Sequence, residues 1–275
     1  MKLLGRRRRL MLVTGGSGFL GRHVLNGHAS DRWELIAPSS SAMDIRRRDS
    51  TIDEITGWKP SVVVHLAYRK DDHRSIVEGS RNVAEAASAC GARLVHMSTD
   101  AIFAGRAAPY VESDVPFPII EYGRDKADAE AAVMAACPTA AMIRTSLLYG
   151  TEQLGHVQLD VQRALSPGVD RRAMTFFTDE FRCPVHAADV ARAIAQVAEL
   201  PEVVGPLHVA GPDAVSRAEF ARATANWLGL GGHRLQTGTI ESSGQVRAAR
   251  VILDSSRAAS LDITCRSVDE VYRTS

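Results

Sequence analysis

The sequence predicts an α/β fold in which helices flank a doubly wound parallel sheet, with a smaller, interleaved C-terminal region. Two observations lead to this prediction: short apolar runs alternate with helical patterns up to Gly150, and the periodicity then loosens. Strand–helix alternation of this kind is typical of βαβ units. The run Ser61–Ala67 is almost continuously apolar, which suits a parallel strand that is covered on both faces.

Each predicted element follows from its local pattern. Strands are predicted from the short apolar runs Leu10–Val13, Trp33–Ala37, Ser61–Ala67, Arg93–Met97, Ala140–Ile143 and Pro206–Ala210. Helices are predicted from helical apolar spacing or alanine-rich composition at Phe19–His28, Ile76–Ala89, Glu121–Ala136, Val190–Leu200 and Ala218–Leu228. Pro138 ends the third helix, and Ser216 and Glu219 have capping-box spacing before the last one.

Composition excludes several classes of protein. The net charge of +1 gives no basic field for nucleic acid or a membrane surface, and the aromatic content of 5% disfavours a base-stacking platform. No stretch approaches the roughly 18 apolar residues of a membrane span. The arginines Arg6–Arg9 precede an apolar run that is too short for a signal peptide, so we expect a solvated lead-in to the first strand and a cytoplasmic protein.

Four cysteines lack the spacing of a disulfide framework or a metal site. None forms a C-x-x-C pair and no histidine cluster accompanies them, so no metal is expected. These cysteines are Cys90, Cys137, Cys183 and Cys265.

A glycine-rich turn lies between the first strand and the first helix. Gly16, Gly18 and Gly21 match G-x-G-x-x-G. Glycine allows the backbone to turn sharply and approach a pyrophosphate, and the following helix N-terminus attracts the phosphates. The position after a strand and before a helix predicts dinucleotide binding on a Rossmann fold. The predicted cofactor-binding residues here are Gly15, Ser17, Gly18, Phe19, Leu20, Gly21 and Arg22.

The end of the second strand bears on the choice of dinucleotide. An acidic residue there would bond the ribose 2′-hydroxyl and favour NAD, but none is present. The hydroxyls of Ser39 and Ser40, with Arg22, suit a 2′-phosphate, so we expect NADP(H) to be preferred over NAD(H). Asp44 and Ile45 are predicted to flank the adenine, with a helix cap as an equal alternative for Asp44.

A second motif points to carbonyl chemistry. Ser98 and Thr99 end the fourth strand, where ligands of such sheets bind, and either hydroxyl suits a hydrogen bond to a carbonyl oxygen. Tyr122 and Lys126 have the spacing that places them on one helix face. A cation beside a phenol prepares it for proton transfer near neutral pH. Three histidines are expected to lie in strands or in the core and not to act as catalytic bases: His65, His96 and His186.

Together these motifs resemble the extended short-chain dehydrogenase/reductases. Several segments resemble their dTDP-4-dehydrorhamnose reductase (RmlD-like) branch: Ser98–Gly105, Pro109–Glu112, Tyr122–Lys126, Arg144–Gly150, Phe181–Asp189, Ser216–Phe220 and Leu253–Ser256. The resemblance covers nearly the whole chain. It implies NAD(P)H-dependent reduction of a nucleotide-linked 4-keto-6-deoxy sugar, as in dTDP-rhamnose biosynthesis.

The resemblance also implies residue roles. Thr99 would orient the keto oxygen, Tyr122 would protonate it, and Lys126 would bind the nicotinamide ribose and tune Tyr122. Three residues would line the cofactor after the third strand: Leu66, Ala67 and Tyr68. Residues 1–150, with 186–210 returning to them, would form the cofactor domain, and 151–185 with 211–275 would bind the substrate.

Two alternative functions and the oligomeric state stay open. A nucleotide-sugar epimerase, or another carbonyl reductase, would use the same tyrosine and lysine. A non-catalytic NADP-binding regulatory subunit is the third interpretation, because Ala101 and Ile76 stand where the family usually has an aromatic residue and asparagine. The alanine-rich segment 124–136 suits a homodimer face and a core helix equally.

Overall fold

The computed structural model describes residues 9–27, 33–168 and 174–275. Its strands are β1 (Arg9–Thr14), β2 (Trp33–Ile36), β3 (Val62–His65), β4 (Arg93–Thr99), β5 (Ala141–Thr145), β6 (Leu148–Tyr149), β7 (Phe176–Phe177), β8 (Phe181–Arg182), β9 (Val185–His186), β10 (Gly205–His208), β11 (Val215–Ser216) and β12 (Thr237–Gly238). Its helices are α1 (Phe19–Gly27), α2 (Arg48–Trp58), α3 (Gly79–Ala89), α4 (Glu121–Ala136), α5 (His156–Ala164), α6 (Ala187–Val197), α7 (Arg217–Trp227), α8 (Ile240–Ser243), α9 (Ser256–Ala259) and α10 (Val268–Arg273).

Six strands form the central sheet in the order β10-β5-β4-β3-β1-β2. β1 pairs in parallel with β2 on one side and β3 on the other, and β3 pairs in parallel with β4. The strand order therefore reverses at β1 and β3, where Thr14 and His65 are register partners. Ligands of doubly wound sheets bind at such a switch point. The predicted fold class is confirmed.

The predicted strands and helices are present, with ends that differ by a few residues. The alanine-rich helix α4 has the predicted bounds, and the capping box of α7 forms, since Ser216 Oγ accepts from the Glu219 N–H at 3.1 Å. The predicted first helix extends to His28, which lies outside the described residues, as do Arg6–Arg8.

Five helices were not predicted from the sequence: α2, α5 and the short helices α8, α9 and α10. α2 buries only Thr51 and Ile55, and its N-cap, Arg47, makes no side-chain capping bond. The segment therefore lacks both the apolar stripe and the start signal on which helix prediction depends. Tertiary packing stabilises it instead, since Ile55 belongs to a buried cluster with residues of the sheet.

The chain divides into two compact units, each made of separate segments. Unit 1 comprises residues up to Met97, Asp128–Met142 and Ile194–Gly205. Its core is a cluster of buried apolar side chains from the sheet and from the helices α2, α3 and α4. Small alanines of α3, including Ala84 and Ala87, are fully buried there, which lets the helix pack closely.

Unit 2 comprises Ser98–Ala127, Ile143–Ala193 and Pro206–Ser275. One of its apolar clusters surrounds Phe103 and Tyr110, whose rings stack with centroids 4.0 Å apart. Another surrounds Tyr149 and Phe220. No helix among the described residues has the length and apolar character needed to cross a membrane.

Candidate active site

The glycine turn of unit 1 is shaped by close backbone contacts. The Gly18 N–H donates to the Gly15 carbonyl at 2.9 Å. A Cβ on Gly21 would lie 2.2 Å from the same carbonyl oxygen, so only glycine lets α1 begin this close to the turn. The first turn of α1 has no acidic residue to offset the positive end of the helix dipole. The turn and the helix start therefore suit a pyrophosphate.

The other predicted residues of the turn differ in exposure. Ser17 and Arg22 are exposed, Phe19 is half-buried, and Leu20 is buried. The exposed Arg22 guanidinium makes no ion pair with a residue that the structure describes. It is therefore available to an anionic ligand, whereas Leu20 anchors the helix in the core.

The loop after β2 presents hydroxyl groups and no carboxylate before Asp44. Ser39 and Ser40 are exposed, and Ser39 Oγ lies 2.8 Å from Ser41 Oγ. This arrangement fits a 2′-phosphate better than a free ribose diol, which a carboxylate would bind.

Asp44 is held by an arginine and does not cap a helix. Its carboxylate accepts from Arg46 Nε at 2.9 Å and from Nη2 at 2.8 Å, and the hydrogen bond from Arg46 lowers the pKa of Asp44 to about 2. The N-cap of α2 is Arg47, so the helix-cap alternative for Asp44 is wrong. The neighbouring Ile45 is buried against Gly79 of α3.

The predicted cofactor loop begins directly after β3. The N–H groups of Leu66 and Ala67 donate to the Thr14 hydroxyl, and the loop residue Tyr68 is exposed. Unit 1 thus brings the loop against the residue that precedes the glycine turn. The expectation for the three histidines is confirmed, because each lies buried in a strand: His65, His96 and His186.

Unit 2 contains the predicted catalytic side chains. Thr99 ends β4, and its Oγ1 accepts from the Ala101 N–H at 3.2 Å. The neighbouring Ser98 Oγ is buried and has no hydrogen-bond partner among the described residues. On α4, Tyr122 is half-buried, while Lys126 is only 4% exposed. A lysine ammonium this deeply buried is costly unless its surroundings compensate the charge.

A glycine packs α4 against the turn that follows Thr99. A Cβ on Gly123 would lie 2.1 Å from the Ala101 carbonyl oxygen and 2.9 Å from Pro118 Cβ. The absence of a side chain therefore lets the first turn of α4 pack against the backbone two residues after Thr99. This contact joins the helix that carries Tyr122 and Lys126 to the segment that carries Thr99.

A buried carboxylate lies next to Thr99. Asp100 accepts from Ser146 Oγ at 2.6 Å, and Arg182 Nε lies 3.7 Å from the same carboxylate. Burial raises the pKa of Asp100, and the charge of Arg182 opposes that rise. The network fixes the turn that carries Thr99.

Three arginines gather around one buried glutamate in unit 2. Glu180 lies 3.3 Å from Arg182 and 3.1 Å from Arg247. Arg217 lies close enough for the charges of all three to act on it, and burial lowers its pKa. The Arg217 guanidinium makes no hydrogen bond or ion pair with a described residue. We call Arg182, Arg217 and Arg247 the arginine cluster.

The three guanidiniums of the arginine cluster are paired to different extents. Glu180 forms ion pairs with Arg182 and Arg247, and Asp100 lies beside Arg182. Glu180 and Asp160 attract Arg217 through their charges without a direct ion pair. Arg217 also stands at the first position of α7, where the positive end of the helix dipole disfavours a cation. A half-buried guanidinium that no described carboxylate contacts directly suits an anionic ligand. The residues of the arginine cluster were not predicted from the sequence, because they come from distant segments with no shared motif.

Among the described residues, no group of three or more histidine, cysteine, aspartate or glutamate side chains could hold a metal ion. All four cysteines are free thiols, and burial raises the pKa of Cys183 to about 11 and that of Cys265 to about 12. Thiols with raised pKa values are poor nucleophiles near neutral pH.

A glycine turn after β1, a hydroxyl at the end of β4 and a Tyr-x-x-x-Lys helix on a doubly wound sheet define an extended short-chain dehydrogenase/reductase. More narrowly, the chain belongs to the RmlD substrate binding domain family, whose family model matches residues 8–255.

Relatives within this family include enzymes and a subunit of another enzyme. The methionine adenosyltransferase 2 subunit beta of Pongo abelii is 30% identical, over 94% of this chain and 84% of its own. A probable dTDP-4,6-dihydroxy-2-methyloxan-3-one 4-ketoreductase of Streptomyces antibioticus is 30% identical, over 77% of this chain and 74% of its own. The crystal structure of dTDP-4-dehydrorhamnose reductase from Bacillus anthracis in complex with NADP has a TM-score of 0.85 at 21% identity, covering 97% and 98% of the two chains.

Proposed function

We propose that this protein is an NAD(P)H-dependent oxidoreductase that reduces the keto group of a nucleotide-linked 4-keto-6-deoxy sugar. The observation that carries the proposal is the packing of Gly123 against the Ala101 backbone, which joins the helix that carries Tyr122 and the buried Lys126 to the turn after Thr99. Membership of the RmlD substrate binding domain family supports it. The bound dinucleotide would supply the hydride.

The three side chains would divide the work on the keto group. The Thr99 hydroxyl, which donates to Asp100 Oδ1 at 3.4 Å in the structure, would turn to donate a hydrogen bond to the keto oxygen and orient it. The Tyr122 hydroxyl would deliver the proton to that oxygen as it becomes an alcohol. The Lys126 ammonium would stabilise the phenolate that remains on Tyr122. Because Lys126 is buried, water screens this attraction less than it would at the surface.

Unit 1 supplies the features that fit the dinucleotide. A side chain on Gly21 would collide with the turn, and α1 begins without an acidic residue. Exposed Arg22, Ser39 and Ser40 favour NADP(H), with NAD(H) as the weaker cofactor. The direct contact of the 66–67 backbone with Thr14 supports the assignment of Leu66–Tyr68 to the same site.

The arginine cluster suits the diphosphate of a nucleotide sugar. Guanidinium groups bind phosphate oxygens through paired hydrogen bonds, and the Arg217 guanidinium has no direct hydrogen bond to a described residue that a phosphate would have to displace. Arg182 falls in the segment 151–185, while Arg217 and Arg247 fall in 211–275. These positions support the predicted assignment of both segments to substrate binding.

The test is oxidation of NADPH with a dTDP-4-keto-6-deoxy sugar, comparing the native protein with Tyr122→Phe. We expect clear turnover by the native protein and at least about a hundredfold loss of kcat in the variant, with NADPH binding retained. Tyr110→Phe, which changes a buried tyrosine of the same unit, is the matched control and should keep its activity. Absence of turnover by native protein that binds NADPH would contradict the substrate assignment.

A second candidate function is a non-catalytic NADP-binding subunit of a partner enzyme. The relatives named methionine adenosyltransferase 2 subunit beta, which match 94% of this chain, favour it. Co-purification with a catalytic partner, together with NADP(H) binding and no turnover of keto sugars, would support this function. Tightly retained NAD with no net cofactor turnover would instead support an epimerase.

The proposed function also implies a cellular location and leaves the oligomeric state to be measured. We place the protein in the cytoplasm, where NADPH and nucleotide sugars are available, without a nucleic-acid or membrane partner. Light scattering after size exclusion would separate a monomer of 29.7 kDa from a homodimer. Detection of the protein in a membrane fraction would contradict the placement.

A further inference from the structure

A chain of buried hydrogen bonds runs through the carboxyl ends of β1 and β3 in unit 1. Thr14 Oγ1 lies 2.7 Å from His65 Nδ1, and His65 Nε2 lies 3.1 Å from Ser80 Oγ. Ser80 Oγ in turn lies 2.5 Å from the Ile76 carbonyl oxygen. We call the side chains of Thr14, His65 and Ser80 the relay. They are at most 2% exposed, so every donor and acceptor among them needs a protein partner.

The direction of the relay follows from its Ser80 end. A carbonyl oxygen only accepts, so the Ser80 hydroxyl donates to Ile76 and its oxygen accepts from His65 Nε2–H. The neutral imidazole with its proton on Nε2 then accepts at Nδ1 from the Thr14 hydroxyl. The Thr14 end agrees: Oγ1 accepts from the Ala67 N–H, and the Leu66 N–H is shared between Oγ1 and the Thr14 carbonyl oxygen, each at 3.2 Å.

We propose that His65 is a positioning residue that orients the Thr14 hydroxyl and thereby fixes the loop 66–68 against the glycine turn. Thr14 is followed directly by Gly15, and a Cβ on Gly15 would lie only 2.7 Å from the Ala67 nitrogen. The two segments assigned to the dinucleotide therefore meet where the relay ends. This inference rests on the proposed function only in naming the dinucleotide as the ligand of those segments.

The relay excludes a second proton on His65. A proton on Nδ1 would point at Thr14 Oγ1, whose lone pairs are already occupied by two amides. Among the described residues, His96 of β4 packs against the imidazole, with ring centroids 5.3 Å apart. A positive charge on either ring would therefore raise the electrostatic cost of a positive charge on the other.

Paired variants separate positioning from packing. His65→Asn retains an acceptor near the position of Nδ1, although it removes more side-chain volume than His65→Gln. The glutamine retains only the donor to Ser80. We expect Asn to keep the dinucleotide affinity close to native, while His65→Gln and Thr14→Val weaken it by about tenfold or more. Thr224→Val, which removes a buried hydroxyl bonded to Tyr272 in unit 2, is the matched control.

The test combines amide hydrogen exchange at Ala67 with calorimetric titration of NADP(H). The Leu66 amide, which also donates to the Thr14 carbonyl oxygen, is the internal reference. In Thr14→Val and His65→Gln, we expect the Ala67 amide to exchange at least about tenfold faster than in the native protein. In His65→Asn and in Thr224→Val, we expect the native exchange rate. Native exchange in His65→Gln, or equal loss in His65→Asn, would overturn the inference. If the variants show this exchange pattern but the native protein binds no dinucleotide, the proposed function fails while the positioning role of His65 stands.

Discussion

Substitution of Gly21 by alanine tests whether the glycine turn is built as the structure shows. The added Cβ would lie 2.2 Å from the Gly15 carbonyl oxygen and 2.7 Å from Gly16 Cα. Both neighbours are backbone atoms, so the turn itself must move. Overpacking costs about 1–3 kcal/mol, and the higher helix propensity of alanine offsets up to about 1 kcal/mol of that. The net loss of about 1–2 kcal/mol should lower Tm by roughly 2–8 °C.

The assay is thermal unfolding together with NADP(H) titration, with Gly27→Ala as the control. Gly27 ends the same helix, and its Cβ would meet no atom within 4 Å. We expect Gly27→Ala to be neutral or slightly more stable, with native affinity. Gly21→Ala should bind NADP(H) about tenfold or more weakly, because the displaced turn no longer admits the pyrophosphate. Native Tm and native affinity in Gly21→Ala would refute the close approach of α1 to the turn.

Three further predictions concern unit 2. Gly123→Ala should reduce kcat more than NADPH affinity, because its Cβ would displace α4 from Ala101; equal loss of both in steady-state kinetics and titration would argue otherwise. Arg217→Gln should raise KM for the nucleotide sugar about tenfold. The control is Arg222→Gln, a change at an exposed arginine of the same helix, which should leave KM unchanged. Equal KM values in the two variants would show that Arg217 does not bind the substrate. Arg266→Ala should destabilise the protein at pH 7 by about 1–3 kcal/mol, because its guanidinium bonds Asp189 at 2.9 Å.

The Arg266 prediction includes a definite pH dependence. Burial alone would raise the pKa of Asp189, but the hydrogen bonds from Arg266 hold it below 3.8. A carboxylate with a lowered pKa stabilises the fold above its unfolded pKa, and that contribution is lost as pH falls through the native pKa. The difference in unfolding free energy between native and Arg266→Ala should therefore shrink below about pH 4. A difference that stays constant down to pH 2 would exclude Asp189 as its origin.

Local motifs made much of the fold and part of the site predictable from the sequence. The glycine turn, the Ser98–Thr99 strand end and the Tyr122–Lys126 spacing each depend on neighbours within a few residues. Such short-range patterns determine turn geometry and helix faces directly, so they can be interpreted without knowing the tertiary structure.

Other features depend on contacts between distant parts of the chain. Glu180 meets Arg247 across 67 residues, and no periodicity links them. The relay through Thr14 and His65 spans 51 residues, and it depends on the register of β1 and β3. α2 forms because Ile55 packs into the unit 1 core, although its own sequence has little helical pattern. Such features require the strand order and packing before they can be recognised.

Transfer of deuterium from NADPH that carries deuterium at both C4 positions to a dTDP-4-keto-6-deoxy sugar tests the proposed reaction most directly. Mass spectrometry of the product distinguishes the transferred label from hydrogen taken from water. We predict one deuterium on the carbon that carried the keto group, and loss of labelled product in Tyr122→Phe. Native protein that binds NADPH and yields no labelled sugar, or labelled product that persists undiminished in Tyr122→Phe, would contradict the Tyr122-dependent ketoreductase.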